Sequence, residues 1–245
     1  MVNYNNALFV RTKYDVATEI LHDQVTALII DYAKNRAYGY DDLSVDSANR
    51  SNFEEAVWSH NPQVIIISSH GSEEGIMGQD QVTEIISPAN SLFLKGRLAY
   101  FIACNTGKGL APICVSNGCR AVLGFDDTLT IAAYEQPDLS YIIVDAFQDT
   151  LTTPKILFDG VKVQDVYNKT KDKFEEWITY YDEVDPMIAD ILRFDRDHFI
   201  LEGDGNESIQ LSWYLLMGMG DILLYIFVTL YTITEAIKLV KRWSK

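Results

Sequence analysis

Short apolar runs and helix-spaced stripes alternate along the first two hundred residues. Residues 7–11 (ALFVR) and 27–32 (ALIIDY) are short apolar runs. Residues 52–60 (NFEEAVWSH) suit a helix stopped before Pro62. Residues 64–68 (VIIIS) are apolar on both faces and β-branched, as a buried parallel strand requires. Residues 83–86 and 92–94 flank a loop holding Pro88, and 98–103 (LAYFIA) reads as the next buried strand. Residues 109–116 suit a helix ending at Asn117-Gly118, and 120–125 (RAVLGF) a further strand. Residues 139–151 and 161–181 read as helices, and 198–202 (HFILE) as a last strand. This order predicts an α/β fold with a mostly parallel sheet flanked by helices on both faces. Its functional site is then expected beyond the C-terminal strand ends.

After this body the pattern changes. Residues 211–233 (LSWYLLMGMGDILLYIFVTLYTI) hold 17 apolar residues in 23, with Asp221 the one charge. As a helix the stretch would run roughly 34 Å, enough for a hydrocarbon core of about 30 Å. The alternatives are a buried helix at an oligomer interface, with Asp221 satisfied there, or a re-entrant helix broken near Gly218 and Gly220. The chain therefore divides into a body of residues 1–207 and a membrane-associated C-terminal helix with a basic end, residues 208–245. Residues 203–208 (GDGNES) read as the flexible join.

Charge sharpens that division. The whole chain carries −15, divided between −18 over residues 1–233 and +3 over residues 234–245. So acidic a body repels phosphate backbones, which argues against nucleic acid and tolerates basic partners. The three cysteines are odd in number, and their spacing fits neither a zinc ribbon nor a disulfide framework. No metal or cofactor is expected. The N-terminal stretch has no signal-peptide pattern, which together with the thiols points to a cytosolic body. The basic tail end would instead favour the body outside, so topology stays open.

The two most apolar strands end in chemistry. One runs VIIISSHG and delivers His70-Gly71; the other runs LAYFIACNTG and delivers Cys104. As parallel central strands they would bring both residues to one sheet edge. A strand-end cysteine is ordinarily a small buried hydrophobe, and a His-Gly pair ordinarily a turn. Their coincidence at neighbouring strand ends instead suggests a thiol nucleophile with an imidazole acid/base. The N–H groups of Gly71 and Cys104 are then candidates for an oxyanion hole. A flavodoxin-like or receiver domain would need phosphate-binding glycines or an acidic cluster at the first strand end, where Arg11-Thr12-Lys13 stands.

The His-Gly and Ala-Cys pair resembles the clan of cysteine peptidases that holds caspases, metacaspases, legumain, separase, gingipain and the CHAT-domain proteases. The look is nearest to the CHAT and gingipain-like members. Cys104-Asn105-Thr106-Gly107 is similar to their Ala-Cys-X-Thr-Gly stretch, and residues 114–127 resemble their Gly-X-Arg-X-Val-X-Gly strand. Residues 198–205 are similar to their closing Leu-X-Gly-Asp-Pro strand, with Gly205 where proline is common. The resemblance covers about residues 5–207. It implies a caspase–haemoglobinase fold and a cysteine endopeptidase acting on protein substrates. His70 would be the general acid/base and Cys104 the nucleophile, with Gly71 on the oxyanion. The strand after the cysteine strand walls the specificity pocket in this clan, so Asp126 or Asp127 would receive a substrate Arg or Lys; the alternative is two solvated loop acids. A regulated role in signalling or defence, an activating partner or a homo-oligomer are compatible with the resemblance. A catalytically silent scaffold assembling at a membrane is the alternative. Cys114 and Cys119 match no catalytic position. His22, His60 and His198 read as surface or strand filler, and Asp182, Glu183 and Asp185 as surface charge.

Overall fold

A computed structural model describes residues 6–137 and 140–209 of the chain. The hydrophobic stretch 211–233 and the basic end lie outside the described residues. Among the described residues no helix is long and apolar enough to cross a membrane.

The chain begins with β1 (Asn6–Arg11). Helix α1 (Val16–Ile20) passes through a π-helical stretch (Leu21–Thr26) into α2 (Ala27–Asn35). Then come β2 (Gly39–Ser44), α3 (Arg50–His60) and β3 (Val64–Ser68). A small hairpin, β4 (Ile76–Met77) and β5 (Glu84–Ile86), precedes β6 (Leu98–Ile102). Next are α4 (Leu110–Ser116), β7 (Ala121–Phe125) and a second hairpin, β8 (Ala133–Glu135) with β9 (Tyr141–Ile143). Helices α5 (Asp145–Thr152), α6 (Val163–Val184) and α7 (Pro186–His198) lead to β10 (Phe199–Gly203).

Six strands form the main sheet in the order β10-β7-β6-β3-β1-β2. All its pairings are parallel except β10 against β7. The expected mostly parallel sheet is therefore present, with one antiparallel edge. Every residue of β3, β6 and β7 is buried, which is why those strands read as unbroken apolar runs. Alternation along each strand divides the side chains between two cores. Leu8, Val10, Ile65, Ile67 and Phe101 pack with Phe53 and Val57 of α3 and Leu110 of α4. On the opposite face, the Phe9 and Phe158 rings lie 6.1 Å apart, and the Tyr100 hydroxyl donates to Leu151 O of α5 at 3.0 Å.

Several predicted elements are redrawn. The run at 27–32 is part of α2, because Ile29, Ile30 and Ala33 bury one helical face. Edge strand β2 (GYDDLS) has no fully buried position and so carries no apolar signal. The predicted helix over 139–151 begins only at Asp145, since Tyr141–Ile143 pairs with β8. The last strand starts at Phe199, with His198 closing α7. Helix α7 itself is hidden in the sequence because one of its buried positions is Asp195. The stretch 203–208 is no loose join. Arg120 pairs with Glu207, and the N–H groups of Val163 and Gln164 donate to Glu207 O and Gly205 O at 2.8 and 2.9 Å.

Candidate active site

Three neighbouring strands deliver the site. β1 pairs with β3, and β3 with β6. In the β3–β6 register Ser68 lies opposite Ile102. His70 and Cys104 each follow their strand by two residues, so they leave the sheet side by side at one edge. The turn after Cys104 is sharp: Asn105 takes a left-handed conformation (φ 60°), which asparagine tolerates better than most residues. Its N–H donates to Asp127 O at 2.9 Å, and the Gly107 N–H donates to Phe125 O at 2.8 Å. A side chain at Gly107 would stand 2.9 Å from the Asp126 backbone. The CNTG stretch is thus clamped to the end of β7.

His70 and Cys104 line one cavity of about 50 Å³ between the strand ends and α1. Its other polar lining residues are Thr18 and Ser69. The His70 Nε2 lies 2.6 Å from Asp15 Oδ2. If Nε2 carries the proton, it donates to Asp15 and leaves Nδ1 as the basic nitrogen. Sequence reasoning missed Asp15. It sits just past β1, and its readable signal is a helix cap: its Oδ1 accepts from the Thr18 N–H at 2.8 Å, opening α1. One carboxylate therefore caps a helix and holds the histidine. Burial works to raise the Asp15 carboxyl, but the Thr18 N–H and the His70 ring outweigh it and hold the group below its ordinary value. The Tyr14 ring packs against His70, with centroids 5.7 Å apart. Behind these lies a hydroxyl network in which Thr12 Oγ1 donates to Ser69 Oγ and Ser69 Oγ to Met77 O, both at 2.8 Å.

The Cys104 thiol is half-buried and donates to Leu129 O at 3.8 Å. Burial pushes its pKa up, and the acids Asp195 and Asp127 add to the rise. At rest Cys104 is therefore a thiol, which would need a base to become a thiolate. Asp195 holds the backbone between Leu129 and Ile131. It is 0 % exposed, its Oδ1 accepts from the Thr130 N–H at 3.1 Å, and its Oδ2 has no partner among the described residues. Burial raises its carboxyl to about 8.

Gly71 abuts the cysteine turn, where a Cβ would stand 2.7 Å from Cys104 O. It bridges Ile76 through bonds made by its neighbours, Met77 N–H to His70 O and Ser72 N–H to Gly75 O. The Gly71 N–H itself takes no part in that ladder.

Asp126 and Asp127, expected to receive a basic substrate side chain, do not line the cavity. Asp126 Oδ1 lies 2.8 Å from His198 Nδ1, and Asp127 Oδ2 accepts from Lys108 Nζ at 3.2 Å. Each acid has its own partner, because β7 ends one strand further from His70. Cys114 and Cys119 are buried, and burial raises both thiols to about 12. His22 is not a surface residue. It is buried in the π-helical stretch with Nδ1 2.5 Å from Asp23 and Nε2 2.8 Å from Ser44 Oγ. His60 pairs with Asp41. Of the acidic cluster, Asp182 pairs with Arg193 and Asp185 caps α7.

No protein-family profile and no curated protein matches the chain. Among solved structures, it is similar to the Arg-specific cysteine proteinase gingipain R, with a TM-score of 0.58 at 10% identity over 84% of this chain and 48% of that one. It is equally similar to the complex of pro- and mature domains of RgpB from Porphyromonas gingivalis, with a TM-score of 0.58 at 11% identity over 85% of this chain and 49% of that one. The likeness is one of fold, and the chain spans about half the length of these structures.

Proposed function

We propose that this chain is a caspase-like cysteine endopeptidase with a His70–Cys104 dyad, tethered to a membrane by residues 208–245 with its catalytic body in the cytosol. The observation that carries the reading is the shared cavity. An imidazole fixed by a carboxylate and a thiol leave adjacent parallel strands and border the same small space. The gingipain-like fold supports it, since the solved neighbours are cysteine proteinases.

In this reading His70 Nδ1 takes the thiol proton as Sγ attacks the peptide carbonyl. The N–H groups of Gly71 and Cys104 donate to the oxyanion of the tetrahedral intermediate. His70 then gives its proton to the leaving amine, and a thioester to Cys104 remains. Water, deprotonated by His70, attacks that thioester; the acyl group leaves as a carboxylic acid, and His70 returns the proton to the Cys104 sulfur. Asp15 keeps the imidazole oriented throughout and stabilises its charged form.

The test is peptide cleavage by the full chain beside Cys104→Ala and His70→Ala. Both variants should lose cleavage, His70→Ala by about 10²–10⁴-fold. Cleavage that survives either substitution would remove the dyad. A folded protein that neither cleaves nor reacts at Cys104 would point to the scaffold alternative.

A further inference from the structure

Given the peptidase reading, we propose that the cavity between His70, Cys104 and α1 is the pocket for the side chain preceding the cleaved bond, and that it selects a small uncharged side chain, alanine to valine in size, over arginine or lysine.

Placement comes first. The attacked carbonyl carbon must approach Sγ to about 3–3.5 Å before reaction. The side chain one bond further back then enters the concavity that Sγ borders. That concavity is the one lined by Cys104 and His70.

Size comes second. The cavity measures about 50 Å³. On the same measure one water needs roughly 10–15 Å³, so the space holds about three to five waters. That volume suits a side chain of one to three carbons and is too small for a guanidinopropyl or aminobutyl chain.

Charge comes third. The walls are Ala17 and Leu21 from the helical side, Ile102 and Ala103 from β6 and its end, and Leu129 and Ile131 from the loop after β7. Among the described residues no carboxylate lines the space. Glu19 and Asp23 face a separate recess on another side of α1, and Lys13 Nζ bridges them at 3.1 and 2.7 Å. Asp15 is engaged by His70 and Thr18. Asp195 does not line the space; it is fully buried and bound to the Thr130 N–H. Asp127 is held by Lys108, so a substrate cation placed here would be desolvated with no free carboxylate in contact, which is strongly unfavourable.

The test uses tripeptidyl acyloxymethyl ketone probes that differ only in the residue next to the reactive group: Gly, Ala, Val, Arg or Lys. Labelling rates of Cys104 are followed by mass spectrometry on the full chain in detergent. The Ala and Val probes should react about tenfold or more faster than the Arg and Lys probes. Ala17→Leu, which fills the cavity from α1, should cut the Val-to-Gly rate ratio about tenfold. An Arg or Lys probe as fast as Val, or a ratio unmoved by Ala17→Leu, overturns the pocket while leaving the peptidase intact. Failure of every probe at Cys104, or labelling that persists in His70→Ala, overturns the peptidase reading and the pocket with it.

Discussion

Single side chains set the protonation states of the site. Asp15 does two separable things, capping α1 and orienting His70. Asn is as good an N-cap as Asp. Asp15→Asn should therefore keep the unfolding midpoint near wild type while lowering kcat/KM, whereas Asp15→Ala should lower both, with about 1 kcal/mol of stability lost. Equal activity in wild type and Asp15→Asn would strip Asp15 of its positioning role. Cys104 offers a second measurement. Because burial raises its thiol, its iodoacetamide alkylation rate should inflect at a higher pH than a free cysteine's. Asp195 offers a third. Its carboxyl stands at about 8 when folded, against about 3.9 unfolded. The folded chain thus binds the extra proton between those values, and stability falls as pH rises through that window. The thermal midpoint of Asp195→Asn should match wild type near pH 4, gain on it steadily to pH 8 and gain little more above. A difference that does not vary with pH would contradict this.

Elements place those side chains through their backbone. The left-handed turn at Asn105 ends β6 abruptly and turns the chain back toward β7. A β-branched residue there carries the left-handed cost, about 1–2 kcal/mol. Asn105→Val should be that much less stable than Asn105→Gly in denaturant unfolding. Gly71 is the matching device just past the end of β3. An added Cβ would press on Cys104 O, a backbone atom without a flexible end to move aside. Gly71→Ala should cost about 1–3 kcal/mol as overpacking, and activity should fall further than that loss explains. Wild-type activity in this variant would remove the close approach of the two strand ends.

At the scale of the whole molecule, charge and greasiness are segregated. Residues 1–233 carry −18 and residues 234–245 carry +3, beside 17 apolar residues in the 23 of residues 211–233. If residues 208–245 anchor the chain, the full-length protein should float with anionic lipid vesicles and stay bound in 1 M salt, because salt screens charge and leaves apolar insertion untouched. Release by salt would reduce the tail to an electrostatic contact. Recovery in the bottom fraction at every salt concentration would remove the anchor.

Much of this protein is determined locally and can be read along the chain. Strands buried on both faces are unbroken apolar runs, so β3, β6 and β7 are legible, and with them the positions of His70 and Cys104 at their ends. Elements that bury little or bury a charge are not legible: β2 has no fully buried position, and α7 hides its stripe behind Asp195. The partners of charged groups are settled only in three dimensions. Asp15 meets a histidine 55 residues away, while Asp126 and Asp127, close in sequence to the cysteine, turn to His198 and Lys108. Which carboxylate reaches which partner depends on strand order and register. Strand order brings the end of β1 beside β3 and puts β7 one strand too far away. Apolar burial can be read residue by residue, but ion pairs and cavity walls need several distant segments to be in place at once.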